Sequence, residues 1–352
     1  MCKVLGDKLR NKPKNSLQVY FQRQRNGLNF TRALLASLVC FSHVGWIYGE
    51  DNLQIRSLGV YSVAIFFGLS GFLIYQSAQY SSGFREFALR RVRRIYPAFL
   101  TVLIVTSVVY YPLYVFFSEG SFKPVQMSQQ FFYTANNLTL YIFKPELNNS
   151  LESSGTQVWN PSLWTLKYEF SLYLICFFVS RLFIKNSQVY IYLMTASLAI
   201  LANVLPRENL LQEFVYLAQF FFIGMTIWHL KERISTGVTT IGITVLAIVF
   251  SYEILEVFTV TSTFLILLAL VLSAKFKSHI LQTTDYSYGI YLHAGPVTHL
   301  AVLATLKAEM DLVAAYVLSM IFSVLLGAFS WHLVESRFRN GRNRSSVNQA
   351  SV

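Results

Sequence analysis

The stretch NFTRALLASLVCFSHVGWIYG, Asn29 to Gly49, decides the fold class, because it is long and apolar enough to cross a bilayer and still carries Arg32 and His43. A span needs about 20 mostly apolar residues. An ionisable side chain within one costs several kcal/mol unless it meets a cavity or a partner, so an arginine and a histidine there mark a functional site. Nine further stretches resemble it: residues 57–78, 95–117, 163–184, 188–205, 211–230, 236–251, 255–274, 285–306 and 312–334. The composition agrees, with 54% hydrophobic and 13% charged residues against roughly 45–50% and about 25% in soluble domains. We therefore expect an all-α, polytopic integral membrane protein of about ten transmembrane helices. Residues 1–28 form a basic tail, 29–334 the transmembrane domain, and 335–352 a second basic tail.

The distribution of charge sets the orientation. Of the 29 Lys and Arg, 23 fall in segments that alternate spans place on one side: eight from Lys3 to Arg32, five from Arg85 to Arg94, then Arg181, Lys185, Lys231, Arg233, Lys275, Lys277, and four from Arg337 to Arg344. Arg56, Lys123, Lys144, Arg207 and Lys307 fall on the other, with eleven of the 17 acidic residues. This positive-inside bias puts both termini in the cytoplasm. The net charge of +12 thus reports topology and not a nucleic-acid partner. The segment Phe131 to Phe143, FFYTANNLTLYIF, is short and broken by Asn136 and Asn137, so it reads as interfacial or re-entrant. Cys2, Cys40 and Cys176 show no spacing for a disulfide or a metal site.

At 1.5 Å per residue His43 lies about 9 Å below the outer end of the first span, and Glu169 about 9 Å below the outer end of the fourth. The two share a depth. A carboxylate beside an imidazole fixes its tautomer and supports the imidazolium formed when it takes a proton from a hydroxyl, which is general-base chemistry. The plainer alternative is a hydrogen bond tying two helices together. The run Arg90 to Pro97, RRVRRIYP, reads as topology signal and headgroup contact, or more sharply as a phosphate site of guanidinium forks. Gly68, Ser70 and Gly71 permit close helix packing and would also leave room for an acyl chain. Tyr286, Tyr288, Tyr291 and His293 could form a polar cavity wall or an aromatic belt at the interface. His229, His279, His299 and His332 read as structural.

In order and placement these motifs resemble the acyltransferase 3 family of integral membrane acyltransferases: the Arg32 to His43 spacing; FFGLSGFLI at Phe66 to Ile74; Arg91 to Pro97; WTLKYE at Trp164 to Glu169; and SYGIYL at Ser287 to Leu292. The likeness covers nearly the whole chain. It implies an O-acyltransferase, in the first place an O-acetyltransferase, drawing on acetyl-CoA from the cytoplasm without a metal. The acceptor is a hydroxyl on an extracytoplasmic or lipid-linked glycan such as O-antigen, exopolysaccharide or lipo-oligosaccharide. The resemblance makes His43 the catalytic residue with Glu169 as its acid, and Arg32, Arg91 and Arg94 the donor-binding arginines. Ser70, Gly71, Trp164, Lys167, Tyr288 and Tyr291 are then expected to line the cavity. Thr165 stands where the family carries serine and keeps the hydroxyl. The family's late histidine falls on Ala294, with His293 one position early, a rotation of about 100° on a helix, so His293 receives no catalytic role. Some relatives add a hydrolase-like extracytoplasmic domain; here the membrane domain is expected to act alone or with a partner, envelope polysaccharide assembly proteins being candidates. The competing class is a transporter or flippase of a polar or glycan solute, which would move its substrate without acyl chemistry.

Overall fold

The computed structural model describes residues 15–22, 26–120, 127–151, 154–182, 187–276 and 281–339. Among these the chain is helical and contains no β-strand, only an isolated bridge between Ser16 and Ser235. In chain order the helices are α1 (Leu17–Gln22), α2 (Leu28–Tyr48), α3 (Leu53–Gln79), α4 (Phe84–Glu119), α5 (Met127–Asn136), α6 (Pro161–Leu182), α7 (Ser187–Val204), α8 (Leu210–Leu230), α9 (Val238–Leu255), α10 (Phe258–Lys275), α11 (Ser287–Lys307) and α12 (Leu312–Phe338). All but α1 and α5 are long and apolar enough to cross a membrane, which makes ten candidate spans. The segment from Phe131 to Phe143 is not among them. It comprises the end of α5 and a turn closed by Asn137, whose amide donates to Lys144 O at 2.8 Å while its Oδ1 accepts from Lys144 N at 3.0 Å.

The chain divides into two compact units, and several helices contribute to both. One unit takes the chain through Arg32 with Val63–Phe87 and Ser171–Thr284. Its inner contact is a backbone crossing of α3 and α8: a Cβ on Gly71 would strike Phe221 O, and one on Gly224 would strike Gly68 O. Close helix packing is therefore what Gly68 and Gly71 do. The direction a Cβ of Gly71 would take is filled by the backbone of Phe221. Around this crossing Phe220 and Phe221 are fully buried. By contrast α7 and α9 bury only 6% and 11% of their apolar windows, and Val189, Leu193, Ile200, Ile243, Leu246 and Val249 stand exposed. In water such faces would be costly; against lipid they are satisfied.

The second unit comprises Ala33–Ser62, Ala88–Phe170 and the chain from Asp285 onward. Here α11 is the inner helix, with 78% of its window buried against 22% for α12. The two approach closely where Gly289 faces Gly327. The exposed face of α12 carries Val313, Val317, Ile321, Leu325 and Phe329, one stripe at four-residue spacing. Two single-turn π-segments interrupt the helices of this unit, Thr106–Tyr110 in α4 and Trp331–Glu335 in α12. Such turns rotate the side chains that follow and recur at functional sites.

Candidate functional site in the second unit

His43 projects from α2 one turn before Trp46, their rings 6.2 Å apart. Its Nδ1 is buried and meets no hydrogen-bond partner among the described residues. The charged and titratable groups acting on it are His299 and Arg56. Arg56 lies 6.0 Å from the Trp46 ring and pairs with Asp51 at 2.8 Å.

His299, on α11, is fixed by the strand of chain that follows α5. Its Nε2 donates to Val158 O at 3.0 Å and so carries the ring proton, while Nδ1 stands 3.4 Å from the Ser154 hydroxyl. Ser154 Oγ and Gly155 N also reach Ile47 O, at 3.3 and 3.1 Å. The segment 154–160 thus straps the end of α2 to α11. Gly155 is required there, since a Cβ would collide with Trp46 O. Trp159, fully buried, packs its ring 5.6 Å from His299 and 5.5 Å from Tyr114.

Further along, Asn160 donates its amide to Leu292 O at 2.6 Å, and the chain turns through Pro161–Thr165 into α6. Thr165 Oγ1 and the Tyr291 hydroxyl lie 2.7 Å apart, both buried. Glu169, one turn on from Thr165, is close enough for its charge to act on Tyr291. The carboxylate makes no hydrogen bond to Nδ1 of His43. Lys167 holds its ammonium 4.3 Å from the Tyr141 ring and 4.8 Å from that of Tyr168, and Trp164 is partly exposed beside Tyr168.

The three arginines are assigned to different units. Arg32 belongs to the first unit, as do Ser70 and Gly71. Arg91 and Arg94 belong to the second, and Arg94 is held by two acids: Nη2 lies 2.6 Å from Asp285 and Nη1 2.7 Å from Glu335. Tyr288, expected to face a cavity, packs its ring 5.4 Å from this guanidinium and donates its hydroxyl to Ile95 O at 3.0 Å. Sequence reading missed Asp285 and Glu335 as partners of Arg94, although an acid near the end of the last apolar stretch was a usable signal. It also missed Tyr110, whose hydroxyl lies 2.7 Å from Nδ1 of His293, and the bonded state of His299.

Residues 25–332 match the family model described as an acyltransferase domain. The chain belongs to the acyltransferase 3 family. It is accordingly an integral membrane acyltransferase. Among curated proteins it is 28% identical to a protein of Shigella phage Sf6 named "O-acetyl transferase", over 89% of this chain and 96% of that relative. It is 25% identical to "Nodulation protein 10" of Rhizobium leguminosarum bv. viciae, over 88% of this chain and 92% of that protein. No solved structure matches it.

Proposed function

We propose that this acyltransferase is a membrane O-acetyltransferase that carries the acyl group of cytoplasmic acetyl-CoA to a hydroxyl of an extracytoplasmic or lipid-linked glycan. The observation that carries the reading is the state of His43: an imidazole whose Nδ1 is buried and unpartnered, while His293 and His299 of the same unit each have a bonded ring nitrogen. A base held ready for a substrate hydroxyl is left with an unmet polar group when the substrate is absent. The phage relative's name supports the acetyl group, and the positive-inside charge distribution supports a cytoplasmic donor.

In the proposed step His43 accepts the proton of the acceptor hydroxyl as its oxygen attacks the thioester carbonyl. The C–S bond then breaks and CoA leaves as the thiol once protonated. Glu169 supplies a negative charge that acts on Tyr291, and the Thr165–Tyr291 hydrogen bond four residues before it ties α6 to α11. Arg91, in the same unit as His43, takes the donor phosphates on resemblance, since guanidinium forks suit them. The protein's part is position and electrostatics; the thioester supplies the chemistry.

The test is to assay surface glycan for O-acetyl esters in cells carrying the wild type, His43→Ala or Glu169→Gln at equal protein levels. Esters should vanish with His43→Ala. Wild-type ester levels in that variant would sink the general-base role.

A further inference from the structure

We infer that Arg94 is a positioning residue rather than a donor ligand, and that Asp285 and Glu335 are its functional partners, the three forming a charge clamp between α4, α11 and α12. One guanidinium faces two carboxylates, at 2.6 and 2.7 Å, and the acids are almost wholly buried, with 5% and 3% of their side chains exposed. That arrangement leaves no surplus positive charge to attract a phosphate. The rings of Tyr288 and Trp331 lie 5.4 and 6.0 Å from the same guanidinium carbon. Each acid is itself fixed. Asp285 Oδ1 accepts from the backbone N–H and hydroxyl of Ser287, and Glu335 Oε1 accepts from Ser330 Oγ at 3.4 Å.

The clamp also has a direction of action. Asp285 stands two residues before α11, the helix that carries Tyr288 and Tyr291. Tyr291 reaches Thr165 at the head of α6, four residues before Glu169. Trp331 and Glu335 are the first and last residues of the π-turn in α12, which brings both to the arginine. Loosening the clamp would let α11 shift against α4 and would disturb the Tyr291–Thr165 contact. Catalysis suffers through geometry, while donor affinity does not depend on Arg94. This rests on the reading above in one respect, that the donor is acetyl-CoA.

The experiment compares the full-length protein with Arg94→Gln, Asp285→Asn and Glu335→Gln. Cellular O-acetyl esters are measured first, a readout indifferent to the donor's identity. Purified protein then gives kcat and KM for acetyl-CoA, with kcat expressed per monodisperse protein so that a folding defect is not counted. All three variants should lose ester formation together, with kcat reduced about tenfold or more and KM within about twofold of wild type. Asp285→Glu, which keeps the carboxylate, should recover most of the rate. The inference is overturned if Arg94→Gln raises KM about tenfold while Asp285→Asn and Glu335→Gln leave both constants at wild-type values. It also fails if esters persist at wild-type levels in the two acid variants. Should the wild type make esters in cells but not turn over acetyl-CoA, the donor assignment fails, and the ester comparison still decides the clamp.

Discussion

At the residue scale the site depends on which polar groups are satisfied and which are not. General-base assistance is worth about 10²–10⁴-fold, so His43→Ala should cut kcat by at least a hundredfold, measured as acetyl transfer per purified enzyme. The Tyr291–Thr165 hydrogen bond, buried at 2.7 Å, should behave as a pair. Tyr291→Phe and Thr165→Val are each expected to lower stability by about 1 kcal/mol. The double variant should cost less than their sum, as read by thermal unfolding in detergent. A strictly additive double variant would mean the contact contributes nothing. That His43 and Glu169 are candidates was legible in the sequence, because an ionisable group in an apolar span needs a reason. That Thr165, four residues before Glu169, bonds to Tyr291 was not, since depth along a helix says nothing about which faces meet.

At the scale of elements, the glycines give the sharpest prediction. Gly224→Ala places a methyl on Gly68 O where α3 and α8 cross, and backbone cannot yield as a flexible side chain can. Overpacking of this kind costs roughly 1–3 kcal/mol, so the variant should unfold at lower temperature. Gly242→Ala, which meets nothing within 4 Å, should not be destabilised. Hydropathy located the spans but not their ends. The third apolar stretch was expected over 95–117, whereas α4 runs Phe84–Glu119. Arginine is a good helix former, so the helix continues through the basic run, and hydropathy registers only where the apolar part begins. The π-turns left no pattern to read, yet they bring Tyr110 to His293 and Glu335 to Arg94.

For the whole molecule, the charge distribution predicts topology, and single cysteines test it. Glu208→Cys, in the loop before α8, should react with a membrane-impermeant maleimide in intact cells. Lys231→Cys, just beyond α8, should react only after permeabilisation. The reverse pattern would invert the orientation. Ile321→Arg, on the exposed stripe of α12, should reduce membrane insertion, since arginine at a span centre costs about 2.5–3.5 kcal/mol on insertion scales.

By itself the sequence determined that the chain is a polytopic helical membrane protein, where its spans lie and which family its motifs resemble. Those properties follow from local composition and order: an apolar run of sufficient length is a span whatever it packs against. Tertiary structure alone decided what each polar group touches. It joined Thr165 to Tyr291, left Nδ1 of His43 unpartnered, and engaged Arg94 with Asp285 and Glu335, residues 191 and 241 positions distant in the chain. Pairing across such separations depends on helix rotation, crossing and π-turns, none of which a hydropathy pattern encodes.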